Sequence, residues 1–219
     1  MTRSLAVLRP EPGNAATAAR IEARGLTAIR LPLFEIRALD WAPPEPGDFD
    51  ALFLTSANAV RLAGPGLGAL AELPVHAVGE ATAAISRAAG LNVVATGARD
   101  GAALVGNAAA AGVKRALLLS GRDRMLDAGG IIGKAIAVYA SDPISIPDIA
   151  ALAGNIALLH SVRAAQRLAE LAGPARADIS LAVLGPAVAA AAGPGWARLA
   201  IATLPTDDAL LDAAQPLAD

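Results

Sequence analysis

The segment Asp50-Ala-Leu-Phe-Leu-Thr-Ser-Ala-Asn-Ala-Val60 is written twice in this chain, returning as Ile156-Ala-Leu-Leu-His-Ser-Val-Arg-Ala-Ala165. In both copies an apolar run of strand type meets a small polar residue and passes into a stretch of helical type. Leu54 and Leu159, Ser56 and Ser161, and Ala59 and Ala164 each stand 105 positions apart. Further on, Ala77-Val-Gly-Glu-Ala-Thr-Ala-Ala84 matches Val183-Leu-Gly-Pro-Ala-Val-Ala-Ala190 at 106 positions. Val94-Ala-Thr with Asp100 matches Ile201-Ala-Thr with Asp207 at 107 positions. Matches that keep their order and nearly keep their offset imply two similar α/β domains, and two domains imply a cleft.

Outward from these blocks, short apolar runs alternate with alanine-rich stretches, the pattern of βαβ units around a mostly parallel sheet. Strands are expected near 51–55, 75–78, 92–95, 115–119 and 135–139, with helices near 57–71, 80–89, 101–111 and 123–133. Gly129, Gly130 and Gly133 oppose the last of these helices. From 156 the program restarts with strands at 156–160, 180–184 and 198–202 and helices at 162–172, 186–192 and 207–214. It ends one unit short. The missing unit is at the other end of the chain, where strands at 4–8 and 26–31 flank a helix at 14–24 closed by Gly25. One domain is therefore expected to combine 1–33 with 144–219 and the other to run from 38 to 138. The chain crosses between them at 31–37 and 138–143, a two-stranded linker that favours hinge motion.

Composition bounds the chemistry. The 219 residues are 55% hydrophobic but only 3% aromatic, so the cores are built from Ala, Val, Leu and Ile. A net charge of −2, with no long basic run, gives no support for a nucleic-acid partner. The chain has no cysteine, which removes disulfides, thiolate catalysis and cysteine metal sites, and its two histidines, His76 and His160, fall in different halves. A histidine-rich metal site is not expected, although a carboxylate-bound Mg²⁺ stays open. The N-terminal apolar run is too short for a signal or a membrane span, so the protein is expected in the cytoplasm.

Several residues can carry chemistry. Ser56, with Ala57 and Asn58, and Ser161 stand where a strand hands over to a helix. There a hydroxyl either caps the helix or, with the bare N–H groups, contributes an anion site. Gly79 and Gly185 occupy equivalent turns where backbone can approach a ligand. Thr82 has a hydroxyl where its repeat partner Val188 has none, and serves either packing or a polar contact. Tyr139, the only tyrosine, starts the return crossing, where a phenol either packs or donates a hydrogen bond. Arg9 and Arg122 follow equivalent strands and are placed toward strand ends, where open α/β sheets bind ligands. No Walker motif, no G-x-G-x-x-G after a strand and no G-x-S-x-G elbow is present.

Taken together, Leu-Thr-Ser-Ala-Asn-Ala-Val at 54–60, Val-Gly-Glu-Ala-Thr-Ala at 78–83, Val-Tyr at 138–139, Leu-His-Ser at 159–161, Leu-Gly-Pro-Ala at 184–187 and Arg9-Pro10 resemble the uroporphyrinogen-III synthase family. The resemblance spans essentially the whole chain. It implies two α/β domains on a two-stranded linker, no cofactor and no metal. It also implies that the substrate is hydroxymethylbilane, a linear tetrapyrrole that loses water, inverts its fourth ring and closes. The family's cleft tyrosine matches Tyr139 and the threonine of its Val-Gly-x-Ala-Thr-Ala motif matches Thr82, both aiding substrate or leaving-group binding. Ser56, Thr82, Ser161 and Gly185 are then helix N-termini for the substrate's carboxylates. Two departures stand out: Ala187 and Val188 replace a hydroxyl residue, and the stretch from Gly121 to Tyr139 is short and glycine-rich, which makes that edge irregular. The expected protein is a cytoplasmic monomer without nucleic-acid or membrane partners. Two alternatives remain at this level: a non-catalytic two-domain binder of a small polyanion, and an inactive homologue.

Overall fold

In the computed structural model, residues 2–97, 101–145 and 148–218 are described, and Asp100 of the third repeat lies outside them. The first elements are β1 (Leu5–Val7), α1 (Gly13–Ala23), β2 (Ala28–Arg30) and β3 (Phe34–Ala38). Next come β4 (Ala51–Leu54), α2 (Ala57–Leu62), β5 (Val75–Val78), α3 (Glu80–Ala88), β6 (Val93–Gly97), α4 (Gly101–Ala110), β7 (Ala116–Gly121) and β8 (Ile132–Pro143). The chain finishes with β9 (Ile156–Leu159), α5 (Val162–Ala172), β10 (Ser180–Val183), α6 (Pro186–Ala192), β11 (Arg198–Ile201) and α7 (Asp207–Ala218).

The chain divides into two compact units, one formed by Met1–Glu35 with Pro143–Asp219 and the other by Ile36–Asp142. The first holds a five-stranded sheet in the order β2-β1-β9-β10-β11, every neighbouring pair parallel. The second holds β3-β8-β7-β4-β5-β6, parallel from β8 to β6. The Leu39 N–H donates to Val138 O and the Ile144 N–H to Leu33 O, so β3 runs antiparallel to β8 along the two crossings. Parallel strands covered on both faces must be apolar throughout rather than alternating. Accordingly β4, β7, β9 and β10 are buried at every position.

Helix α5 shows how the helices attach. Ser161 accepts a hydrogen bond from the Ala164 N–H at 3.2 Å and starts the helix. Ala164, Ala165, Leu168 and Ala172 then recur at helical spacing, all buried against Leu159 and Leu181 of the sheet. With so few aromatic residues, small alanines let helix and sheet approach closely.

Two helical expectations give way. The stretch expected as a helix over 57–71 stops at Leu62, because Gly64 adopts a φ of 62° and Pro65 follows it. A short 3₁₀ segment from Gly64 to Leu70 then turns Leu67 and Leu70 into the core. The helix expected over 123–133 is absent. Gly129 and Gly130 take φ values of 146° and 54°, which left-handed turns accept and a helix does not, and β8 begins at Ile132 instead. Among the described residues no helix is long and apolar enough to cross a membrane.

Leu158 lies at the centre of the first sheet, fully buried between α1 and α7. Leu158→Ala should lower unfolding free energy by roughly 2–5 kcal/mol, measured by urea denaturation.

Candidate functional site

In an open parallel sheet, loops at the carboxyl ends of the strands are free to converge on a ligand. In the second unit that edge carries a cavity of about 550 Å³. Its lining includes Thr55 and Ser56 after β4, Ser120 and Gly121 at the end of β7, and Tyr139 of β8. Gly121 pairs directly with Tyr139 across the sheet. A methyl group on Gly121 would come within 2.8 Å of the Tyr139 ring, so the glycine leaves room for the phenol beside the backbone. Ser56 is the N-cap of α2, its oxygen accepting from the Asn58 N–H at 3.2 Å. One accepted bond leaves the hydroxyl proton of Ser56 free to donate. Asn58 turns its own carbonyl to Arg61 at 3.1 Å.

The wall opposite is the segment after β7, which supplies Arg124 and Leu126 to the cavity. Leu126 sits on Gly101 so closely that a methyl group there would come within 2.5 Å of its Cδ1. Gly79, with φ 76°, opens α3, and Thr82 is buried within that helix, its carbonyl accepting from Ser86 Oγ at 2.8 Å. Neither Gly79 nor Thr82 lines the cavity that holds Ser56 and Tyr139. His76 lies toward the amino ends of the strands, beside Phe53 at 5.5 Å, and burial pushes its imidazole below the usual histidine range.

In the first unit Arg9, Ser161 and Gly185 follow β1, β9 and β10, along one edge of that sheet. Gly185 is extended and opens α6 ahead of Pro186. Arg9 is held by protein partners. Its guanidinium meets Asp207 at 3.1 Å and lies over Gly13, where a methyl group would come within 2.4 Å of Nε. Buried Asn14 donates to Val7 O at 2.7 Å and Arg9 O at 2.9 Å, which fixes the turn that aims Arg9. Asp207 also accepts from Thr17 Oγ1 at 2.8 Å, and His160 Nε2 stands 3.3 Å from its Oδ1. That last contact is close but poorly aligned, and neither ring nitrogen of His160 has a well-formed hydrogen bond. His160 first, then Thr17 and the charge of Arg9, hold the Asp207 carboxyl well below the usual carboxylate range, against the opposing effect of burial.

The family model described as Uroporphyrinogen-III synthase HemD matches residues 15–212. The chain belongs to the uroporphyrinogen-III synthase family. A search of curated proteins finds no match. Among solved structures, the uroporphyrinogen-III synthetase of Helicobacter pylori 26695 is 18% identical, with 98% of this chain and 99% of that one covered and a TM-score of 0.66. A mutant uroporphyrinogen III synthase of the extremely thermophilic bacterium Thermus thermophilus is 15% identical, with 97% and 98% covered and a TM-score of 0.53. At such identities these likenesses speak for the shared fold.

Gly121, Arg124 and Leu126 at the cavity and Asp207 at the other sheet edge are not among the site residues that the sequence singles out. The expected helix over 123–133 hid Arg124 and Leu126. Gly121 was visible as a glycine at the end of an apolar run, and Asp207 as the polar end of the third repeat.

The Asp207 cluster predicts a pH-dependent stability. A folded-state pKa below the unfolded one stabilises above the unfolded value and loses that contribution as pH falls through the folded value. Asp207→Asn should cost roughly 2 kcal/mol near neutral pH. The gap between variant and wild type should close as pH drops below about 3.9, measured by urea denaturation across a pH series.

Proposed function

We propose that the protein forms uroporphyrinogen III from hydroxymethylbilane at the cavity holding Tyr139. The reaction releases water, inverts the fourth pyrrole ring and closes the macrocycle. The observation that carries the reading is the family match over residues 15–212, joined to a cavity in which Tyr139 and Ser56 share one sheet edge.

An electron-rich pyrrole expels hydroxide readily, leaving an azafulvene. The C–O bond of the hydroxymethyl group breaks, its electron pair leaves with oxygen, and a donated proton turns the departing hydroxide into water. The protein therefore contributes a weak acid and, above all, positioning. In this reading Tyr139 hydrogen-bonds the leaving hydroxyl, and Thr82, buried within α3 and outside this cavity, acts only through the helix it packs in. The substrate's eight carboxylates and pyrroles are received by Arg9, Ser56, Ala57, Asn58, Gly79, Ser161 and Gly185. Arg9 takes part only in exchange for some of its hold on Asp207. The reading includes a cytoplasmic, monomeric protein whose partner is this linear tetrapyrrole, and the net charge of −2 offers no long-range attraction to nucleic acid.

The test is to generate hydroxymethylbilane with its upstream synthase, add this protein, oxidise the products and resolve the porphyrin isomers. Type III isomer is expected. Type I alone, the product of spontaneous closure, would sink the proposal. Tyr139→Phe should slow turnover about tenfold, the scale of one lost hydrogen bond, with little change in thermal midpoint. Unchanged turnover removes Tyr139 from the mechanism.

A further inference from the structure

We propose that Arg124 is a carboxylate-recognition residue of the cavity, seating one side-chain carboxylate of the substrate while Tyr139 meets the hydroxymethyl group. The inference rests on the functional reading above and adds to it a cationic subsite.

Arg124 lies in the segment that stands where a helix was expected, and that segment forms a wall of the 550 Å³ cavity. Leu126, two residues on, is seated on Gly101 and pins the segment against the start of α4. The Arg124 side chain is only 23% exposed, low for a guanidinium, and its Nε is shielded from solvent with no hydrogen-bond partner. Nη2 donates to Asp127 Oδ1 at 2.8 Å, but Asp127 is 73% exposed and three residues away. A local pair with so exposed a partner holds its cation weakly. The guanidinium thus sits in the wall with Nε enclosed and its Nη donors only partly engaged, and a carboxylate entering the cavity meets that Nη end.

Neighbouring cations are placed differently. Arg122 is bonded to Asp142, which also accepts from Arg37 Nε at 2.7 Å. Among the described residues lining the cavity, Arg124 is the only cation and Asp123 the only acid, and the Asp123 carboxylate stands 3.9 Å from Arg122 Nε. A planar fork of N–H donors matches a carboxylate in direction as well as charge, which suits a residue that must fix the register of a long, flexible tetrapyrrole. The hydroxyls of Tyr139, Ser56 and Thr55 share the same cavity, so a carboxylate held at Arg124 keeps the chain's reacting end within their reach.

Steady-state kinetics on hydroxymethylbilane with Arg124→Gln and Arg124→Lys test this. Arg124→Gln should raise KM about tenfold, the scale of one charge-assisted contact, with kcat, thermal midpoint and type III product retained. Arg124→Lys should recover part of the loss, and added salt should raise KM more steeply in wild type than in Arg124→Gln. Unchanged KM in Arg124→Gln, while wild type still forms type III, overturns the assignment and leaves the functional reading intact. A joint fall in kcat and thermal midpoint in both variants makes Arg124 structural and also overturns it. Type I product alone from wild type overturns the functional reading and this subsite with it.

Discussion

The parallel pairing of β1 with β9 is the contact on which the first unit depends. Leu5, Ala6 and Val7 lie beside Ile156, Ala157 and Leu158, bringing together segments separated by most of the chain. Every one of these residues is shielded from solvent. Their burial, not local propensity, favours a pairing that must offset the entropy of closing so long a loop. Leu33 and Ile144 are hydrogen-bonded where the chain leaves this unit and returns to it, so the intervening residues close a loop whose ends already meet. Parallel register also sets Arg9 and His160 side by side at the strand ends, and Asp207 can then hold both.

The two sheets follow one plan. Strand for strand, β2-β1-β9-β10-β11 corresponds to β8-β7-β4-β5-β6, the order in each reversing between the equivalent pairs β1/β9 and β7/β4. The edges are nonetheless filled in different ways. In the first unit Asp207 accepts from Arg9 and Thr17, with His160 Nε2 packed 3.3 Å from it. In the second a cavity is left, with hydroxyls, the Arg124 guanidinium and the Asp123 carboxylate around it. Both edges use a glycine to leave room for a large side chain beside the backbone: Gly13 for Arg9 and Gly121 for Tyr139.

Much of this was legible in the sequence because the signals were local or repeated. Leu54 and Leu159 marked equivalent strands, and Ser56 and Ser161 both stand as helix caps. Tyr139 drew attention as the only tyrosine near the end of an apolar run. The stretch 123–133 was misread, since Arg, Met, Leu and Ala there favour a helix and Gly129 and Gly130 veto it. That misreading concealed Arg124 and Leu126, whose roles arise from packing on Gly101 and from partners left unfilled.

Sequence by itself determined that there are two α/β halves of one design, that a terminal unit completes the second copy, and where strands pass into helices. These follow from hydrophobic period, capping residues and the repeat, all of which act over a few residues at a time. Tertiary structure alone decided that Arg9 is bound by Asp207, that His160 joins them, that Ser56 and Tyr139 share a cavity, and that Thr82 is buried within its helix. Those outcomes depend on which strand ends become neighbours and how much room the side chains leave. Such distances are set by the whole packed unit and are written in no single stretch of the chain.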